Sequence, residues 1–253
     1  MKKLGLILVS LVLWPILLLT FGSCLCFYTA LLIFFSPLRL QWLVQKMCRL
    51  ILLTAGQRLI ITNQHPDIKQ GPYLYLFNHG SLLDAIILGA TLEGLFTVVA
   101  AKEYFSWPVW GWMMRLYNVV PIDRKKYQDA MISMKAVENK IRNGYSFGGS
   151  PEGTRTHDGH LQPFKKGLFH VAINTKTPIV PVVITGAYEA LNRKSWLIHP
   201  GTIKVCFVCK TFVVKNSKQA KQRLLIDPRE YTSMTVDQLL NKVRKAMLSI
   251  LFL

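Results

Sequence analysis

Two short stretches hold residues whose types and spacing suit acid–base chemistry on an anionic substrate. In Asn78-His79-Gly80-Ser81-Leu82-Leu83-Asp84 a histidine precedes a carboxylate by five positions. Imidazole titrates near neutral pH, so a histidine ordered by a carboxylate can serve as a general base. On one continuous helix, residues five apart lie about 140° from each other around the axis. His79 and Asp84 therefore meet only if His79 sits in a turn before the helix, and Gly80 and Ser81 supply that turn. With Ser81 as N-cap, Asp84 falls at the third helical position, from which its side chain can point back. The same Ser-x-x-Asp spacing is also a capping box, a purely structural role for Asp84. His79 equally suits a buried, satisfied histidine.

The second stretch is Pro151-Glu152-Gly153-Thr154-Arg155. A guanidinium gives planar, bidentate recognition, which makes Arg155 a phosphate ligand candidate. Gly153 permits close backbone approach, and Thr154 offers a hydroxyl. Glu152 suits either Arg155 or a substrate hydroxyl. No Ser or Cys sits in a G-x-S-x-G elbow; Gly148-Gly149-Ser150-Pro151-Glu152 has Glu where that pattern needs its last Gly. No covalent acyl-enzyme is implied. Cys206-x-x-Cys209 has metal or redox spacing, but residues 203–214 read as one strand, on which residues three apart face opposite ways. No metal site is expected, and the five cysteines read as packing residues or free thiols in a reducing compartment.

The elements that must position these stretches follow from periodicity. Strands are expected at 58–62, 73–77, 97–101, 146–150, 179–185 and 203–214. Helices are expected at 82–90, 128–142, 164–174 and 236–252, with Met131, Met134, Val137 and Ile141 sharing one face of the second. The run at 179–185 is continuously apolar, as in a strand buried on both faces. Strand–helix alternation points to an α/β fold, a mixed sheet flanked by helices.

Four blocks, in order, resemble those of the PlsC-type 1-acyl-sn-glycerol-3-phosphate acyltransferases: Asn78-His79 with Asp84; Val120-Pro121-Ile122-Asp123-Arg124; Pro151-Glu152-Gly153-Thr154-Arg155; and Val180-Pro181-Val182-Val183. The resemblance covers roughly residues 70–190, and departs where Ser150 replaces the family's usual Phe. It implies a glycerol-phosphate acyltransferase-like fold with His79 and Asp84 as catalytic residues. Acceptor binding is then assigned to Glu152, Gly153, Thr154 and Arg155, supported by Lys102; Arg124 suits either the same substrate-binding site or a core carboxylate. The implied reaction moves an acyl chain from an acyl-CoA or acyl-acyl-carrier-protein thioester to the sn-2 hydroxyl of lysophosphatidic acid, forming phosphatidic acid with no bound cofactor. A related enzyme acting on another lysophospholipid or a lyso-amino-acid lipid shares the pattern. A non-catalytic basic membrane-surface protein is the alternative from another class.

Net charge is +18, hydrophobic residues make up 51% of the 253 positions, and mean hydropathy is +0.28. A basic surface suits nucleic acid or anionic lipid. There is no zinc-finger, RNP or heptad pattern, the basic residues are scattered, and membrane is the expected partner. Residues 4–38 carry no charge. As one helix they would span about 50 Å, well beyond a hydrocarbon core of about 30 Å. Two helices broken at Gly22-Ser23 would instead form a hairpin dipping into one leaflet. Lys2 and Lys3 before the run, and Arg39, Lys46, Arg49 and Arg58 after it, put both ends on the cytoplasmic side. The expected division is residues 1–55 as membrane-associated helices and 56–253 as the catalytic domain. The expected location is the cytoplasmic face of a bacterial inner membrane, or of the endoplasmic reticulum in a eukaryote. The amphipathic stretch 38–54 suits an interfacial helix or one packed on its own domain.

Overall fold

A computed structural model describes residues 2–62, 71–123, 127–212, 221–224, 226–231 and 233–251. The elements run α1 (Lys2–Leu31), α2 (Gln41–Thr54), β1 (Gln57–Thr62), β2 (Leu74–Phe77), α3 (Asp84–Thr91), β3 (Phe96–Ala101), α4 (Trp110–Leu116), β4 (Val120–Ile122), α5 (Tyr127–Arg142), β5 (Ser146–Gly149), α6 (Gly167–Thr175), β6 (Ile179–Thr185), α7 (Ala187–Ala190), β7 (Gly201–Phe207), β8 (Cys209–Phe212), β9 (Lys221–Leu224), α8 (Pro228–Tyr231) and α9 (Val236–Leu251). The expected strand over 203–214 is interrupted at Val208: β7 belongs to the main sheet, and β8 pairs with β9 as a separate ribbon.

Seven strands make one sheet in the order β1-β7-β6-β2-β5-β3-β4. The block β6-β2-β5-β3-β4 is all parallel. Strand β7 runs antiparallel to β6, and β1 is parallel to β7. The sheet is therefore mixed, and five neighbouring strands release their carboxyl ends along one edge. Alternation sorts the side chains into two layers. Tyr73, Tyr75 and Phe77 pack with Val180, Val182 and Ile184 under α1, α2 and α3. Leu74, Leu76, Phe147 and Val183 pack on the other face with α5, α6 and α9. Strands β2 and β5 are buried at every position, as parallel strands covered on both faces must be. On α5, Val137 and Ile141 reach this core, whereas Met131, expected on the same face, is exposed.

The N-terminal region corrects the expected break. Helix α1 is continuous for 30 residues, through both Pro15 and Gly22-Ser23. The chain turns later, at 32–40, where Ser36-Pro37 disfavours further helix. Side chains before and after Gly22 fasten α1 to the domain, which accounts for its passing straight through. The Ser10 hydroxyl accepts Ile198 N–H at 3.0 Å. Trp14 Nε1 donates to Trp196 O at 2.8 Å, Phe21 packs on Trp110, and the Tyr28 and Tyr117 hydroxyls bond to each other.

Helix α2 returns antiparallel to α1, bringing Gly56 against Leu13. Its inner face buries Ile51 and Leu52. It also caps the carboxyl end of α3: Gln45 donates to Leu92 O at 2.9 Å and Arg49 to Ala90 O at 3.3 Å. Its outer face exposes Trp42, Leu50 and Leu53, as α1 exposes Leu4, Leu8, Leu11, Leu18 and Leu19.

Candidate active site

Loops leaving the carboxyl ends of parallel strands are where open α/β sheets place ligand sites. Here β2 runs into His79, β5 into Pro151-Glu152-Gly153-Thr154-Arg155, β3 into Lys102 and β4 into Asp123. Asn78 fastens the first of these turns. Its side-chain amide pairs with the backbone of Ile184 like an added strand residue, donating to Ile184 O at 2.8 Å and accepting Ile184 N–H at 2.7 Å. The carboxyl end of β2 is thereby locked to β6.

His79 lies in the turn, before the helix, as its spacing from Asp84 requires. His79 Nδ1 is 2.7 Å from Asp84 Oδ2. The same oxygen accepts Gly80 N–H at 2.8 Å and Ser81 N–H at 3.0 Å. Asp84 is buried, and its Oδ2 gathers the ring nitrogen and two backbone N–H groups. The expected cap is corrected: α3 opens at Asp84 with Leu83 and not Ser81 as N-cap, and the Asp84 side chain turns back to the Ser81 N–H as well as to the ring. The Ser81 hydroxyl accepts Leu83 N–H at 3.2 Å and donates to Leu191 O at 2.6 Å. In the tautomer whose Nδ1–H donates to Asp84, Nε2 is the acceptor nitrogen. Nε2 has no hydrogen-bond partner among the described residues, and the ring is 24% exposed, so a substrate hydroxyl can reach it.

The second stretch buttresses this turn. Glu152, expected among the acceptor contacts, is buried. Its Oε1 accepts His79 N–H at 2.7 Å and its Oε2 accepts Gln162 N–H at 2.8 Å. Both oxygens are thus turned to backbone donors. Burial holds the Glu152 carboxyl above the usual carboxylate range, against those two N–H groups, which favour the anion. Thr156 N–H donates to His79 O at 2.8 Å. The backbone of His79 is therefore gripped from both sides. Ser150 contributes a local turn, its hydroxyl accepting Glu152 N–H at 3.3 Å.

Gly153 has φ +73°, and a Cβ there would lie 3.0 Å from Lys165 Nζ. The loop thus needs its glycine and lies under a lysine. Arg155 is half-buried, and its guanidinium makes no hydrogen bond or ion pair among the described residues. Thr154 is exposed beside it. Lys102 instead faces Asp123, with Nζ 2.6 Å from Oδ2, and the Asp123 hydrogen bond raises its pKa. Strand order puts Lys102 two strands from His79, roughly 10 Å across the sheet. Arg124 lies outside the described residues.

Asn78, Thr156, Gln162 and Lys165 are site-building residues that sequence reasoning did not single out. Asn78 and Thr156 sit beside residues of the two stretches. Nothing in the sequence ties Gln162 or Lys165 to Glu152 and Gly153, because that contact depends on the loop folding back.

Comparison with known proteins gives a consistent result. The acyltransferase family model matches residues 58–185, half of the chain. The 1-acyl-sn-glycerol-3-phosphate acyltransferase of Cocos nucifera is 34% identical over 146 residues, 57% of this chain and 47% of that protein. That of Saccharomyces cerevisiae is 36% identical over 142 residues, 55% and 47%. The human 1-acyl-sn-glycerol-3-phosphate acyltransferase alpha is 32% identical over 165 residues, 63% and 58%. The chain thus spans about half the length of the curated relatives it matches. The crystal structure of the lysophosphatidic acid acyltransferase PlsC from Thermotoga maritima superposes with a TM-score of 0.75 at 21% identity, over 98% of this chain and 95% of that one, and so shares the fold. With the matched region enclosing His79, Asp84 and Arg155, the chain belongs to the acyltransferase family.

Proposed function

We propose that the protein transfers an acyl chain from an acyl thioester to the sn-2 hydroxyl of 1-acyl-sn-glycerol 3-phosphate, forming phosphatidic acid at the cytoplasmic face of a membrane. The observation that carries this is the 2.7 Å contact from His79 Nδ1 to Asp84, which leaves Nε2 open to a hydroxyl. In the reaction, Nε2 takes the acceptor hydroxyl proton as that oxygen attacks the thioester carbonyl. The imidazolium is stabilised by Asp84 through Nδ1–H. The tetrahedral intermediate collapses by breaking the carbon–sulfur bond, and the imidazolium returns its proton to the departing thiolate. The products are the ester and a free thiol, and no acyl-enzyme forms. Gly153, Thr154 and Arg155 hold the acceptor, with Arg155 on its phosphate. The donor is coenzyme A or acyl carrier protein; an acidic carrier would be drawn by the net charge of +18.

The geometry of α1 supports an interfacial anchor. Its contacts with the domain run from Ser10 to Tyr28, roughly 27 Å of helix axis. Carrying that length through a bilayer would drag the charged domain in with it. Lying in one leaflet, α1 buries its outer leucines and leaves the domain in water. The test is acceptor-dependent release of free thiol from acyl-CoA and from acyl-acyl-carrier-protein by the full chain in nanodiscs, over a panel of lysolipids. Preferred turnover on lysophosphatidic acid supports the proposal. A preference for another lysolipid reassigns the headgroup, and no acceptor-dependent release on any lysolipid overturns acyl transfer.

A further inference from the structure

Beside the His79 turn, between α1 and the loop from Leu191 to Trp196, lies an open cleft of about 390 Å³. Its lining includes Trp14, Leu82, Arg155, Arg193, Lys194 and Trp196, and no carboxylate. Arg193 and Lys194 are exposed. Three cations line this open cleft with nothing of opposite sign among the described residues of its wall, which is the electrostatic form of an anion site.

The loop is built to hold those cations in place. Lys194 N–H donates to Asn192 Oδ1 at 2.9 Å, and Leu197 N–H to Ser195 Oγ at 3.1 Å, so both ends are closed by side-chain turns. Arg193 Nη1 lies 3.1 Å from His157 Nε2 and 3.5 Å from Arg155 O, which ties the loop to the one that carries Arg155. On the far side, Trp14 Nε1 bonds Trp196 O at 2.8 Å, which ties it to α1. The Lys194 ammonium has no partner among the described residues.

We infer that this cleft is a receiving site for the phosphate of a membrane lipid, with Arg193 and Lys194 adding to Arg155, and that the lipid arrives along α1. Trp14 and Trp196 form its lip, and indole rings settle at headgroup depth. Helix α1, which carries Trp14, also carries exposed leucines on either side of it. A phosphate at headgroup level therefore meets Lys194 and Arg193, while the lipid tail remains in the leaflet and Leu82 offers an apolar wall next to His79. The identity of the lipid as lysophosphatidic acid rests on the acyl-transfer proposal; the anion site rests on the cleft itself.

The test is equilibrium binding, so that it does not depend on turnover. Labelled lysophosphatidic acid is titrated into neutral-lipid nanodiscs carrying the full chain with His79→Ala, alone and combined with Lys194→Glu or Arg193→Gln. Lys194→Glu is expected to weaken binding about tenfold, the size of a lost charge-assisted contact, while binding of 1-monoacylglycerol, which lacks phosphate, stays unchanged. Coenzyme A should not displace the labelled lipid. Unchanged affinity with Lys194→Glu overturns the site, as does equal weakening for monoacylglycerol. Displacement by coenzyme A overturns the lipid assignment in favour of a donor-phosphate site. Because Arg193 also braces the Arg155 loop, its variant counts only alongside that of Lys194. Absence of acyl transfer in the unmodified chain would remove the proposed reaction and leave this binding result standing.

Discussion

His79 N–H donates to Glu152 Oε1 at 2.7 Å across 73 positions of sequence, and that bond joins the two stretches into one site. Strands β2 and β5 are parallel neighbours, so the loops after them emerge side by side. A buried carboxylate then fixes the backbone of the base while Asp84 fixes its ring. Each of the two acids can be tested apart from the other.

His79→Ala should remove acyl transfer by about 10²–10⁴-fold and leave thermal unfolding near wild type, since only the ring is lost. Asp84→Ala should lower both. Its Oδ2 accepts two backbone N–H groups besides the ring, and leaving them unpaired in a buried turn costs about 1–3 kcal/mol. Rates and denaturant unfolding of both variants settle this; wild-type-like turnover with His79→Ala refutes the base assignment.

Glu152→Gln should destabilise by about 1–3 kcal/mol, because an amide NH2 would face one of two buried backbone donors. The loss should depend on pH. Burial raises the Glu152 pKa, so the folded state binds this proton more readily than the unfolded state. The stability from that proton is present at low pH and is lost as pH rises through the raised value. The wild-type advantage over Glu152→Gln should therefore shrink with rising pH, as read by urea unfolding at a series of pH values. An advantage that grows with pH would mean that the carboxylate sits more comfortably as an anion than its burial allows.

Arg155→Ala should raise the acceptor KM more than the donor KM, since the guanidinium has no partner to lose among the described residues. Lys102→Ala should leave the acceptor KM near wild type, because Lys102 is paired with Asp123 at 2.6 Å. Steady-state kinetics in mixed micelles, varying each substrate in turn, compares the two. A Lys102 variant that matched Arg155→Ala would show that the pair opens to admit phosphate.

A cysteine at position 22, in a background with Cys24 and Cys26 replaced by serine, should stay unlabelled by an impermeant thiol reagent applied outside the cell. The substitution is sterically open, since a Cβ at Gly22 meets nothing within 4 Å. Labelling would show that α1 crosses the bilayer. A high-salt wash should leave the protein on the membrane, because screening acts on the basic face and not on buried leucines.

The strand ends and the His–Asp turn were legible because they rest on local rules. A five-residue spacing forces a turn, and continuous apolar runs mark strands covered on both faces. The helix break was not legible: Gly22-Ser23 looks like the weakest point of an isolated helix, but Phe21 and Tyr28 pin it on both sides to Trp110 and Tyr117. Glu152 carried the motif's only carboxylate, so a substrate contact was a natural expectation. Its real partners are backbone groups of His79 and Gln162, which have no signature in side-chain identity.

The bond between Ser10 and Ile198 joins residues 188 positions apart. At about 5–20 residues per second, a ribosome finishes the second partner roughly 10–40 s after the first. The Ser10 end of α1 spends that interval without its partner at Ile198, and a bilayer is the phase in which so apolar a segment can wait. Membrane insertion would then precede tertiary closure, and the domain would assemble as a guest on its own anchor.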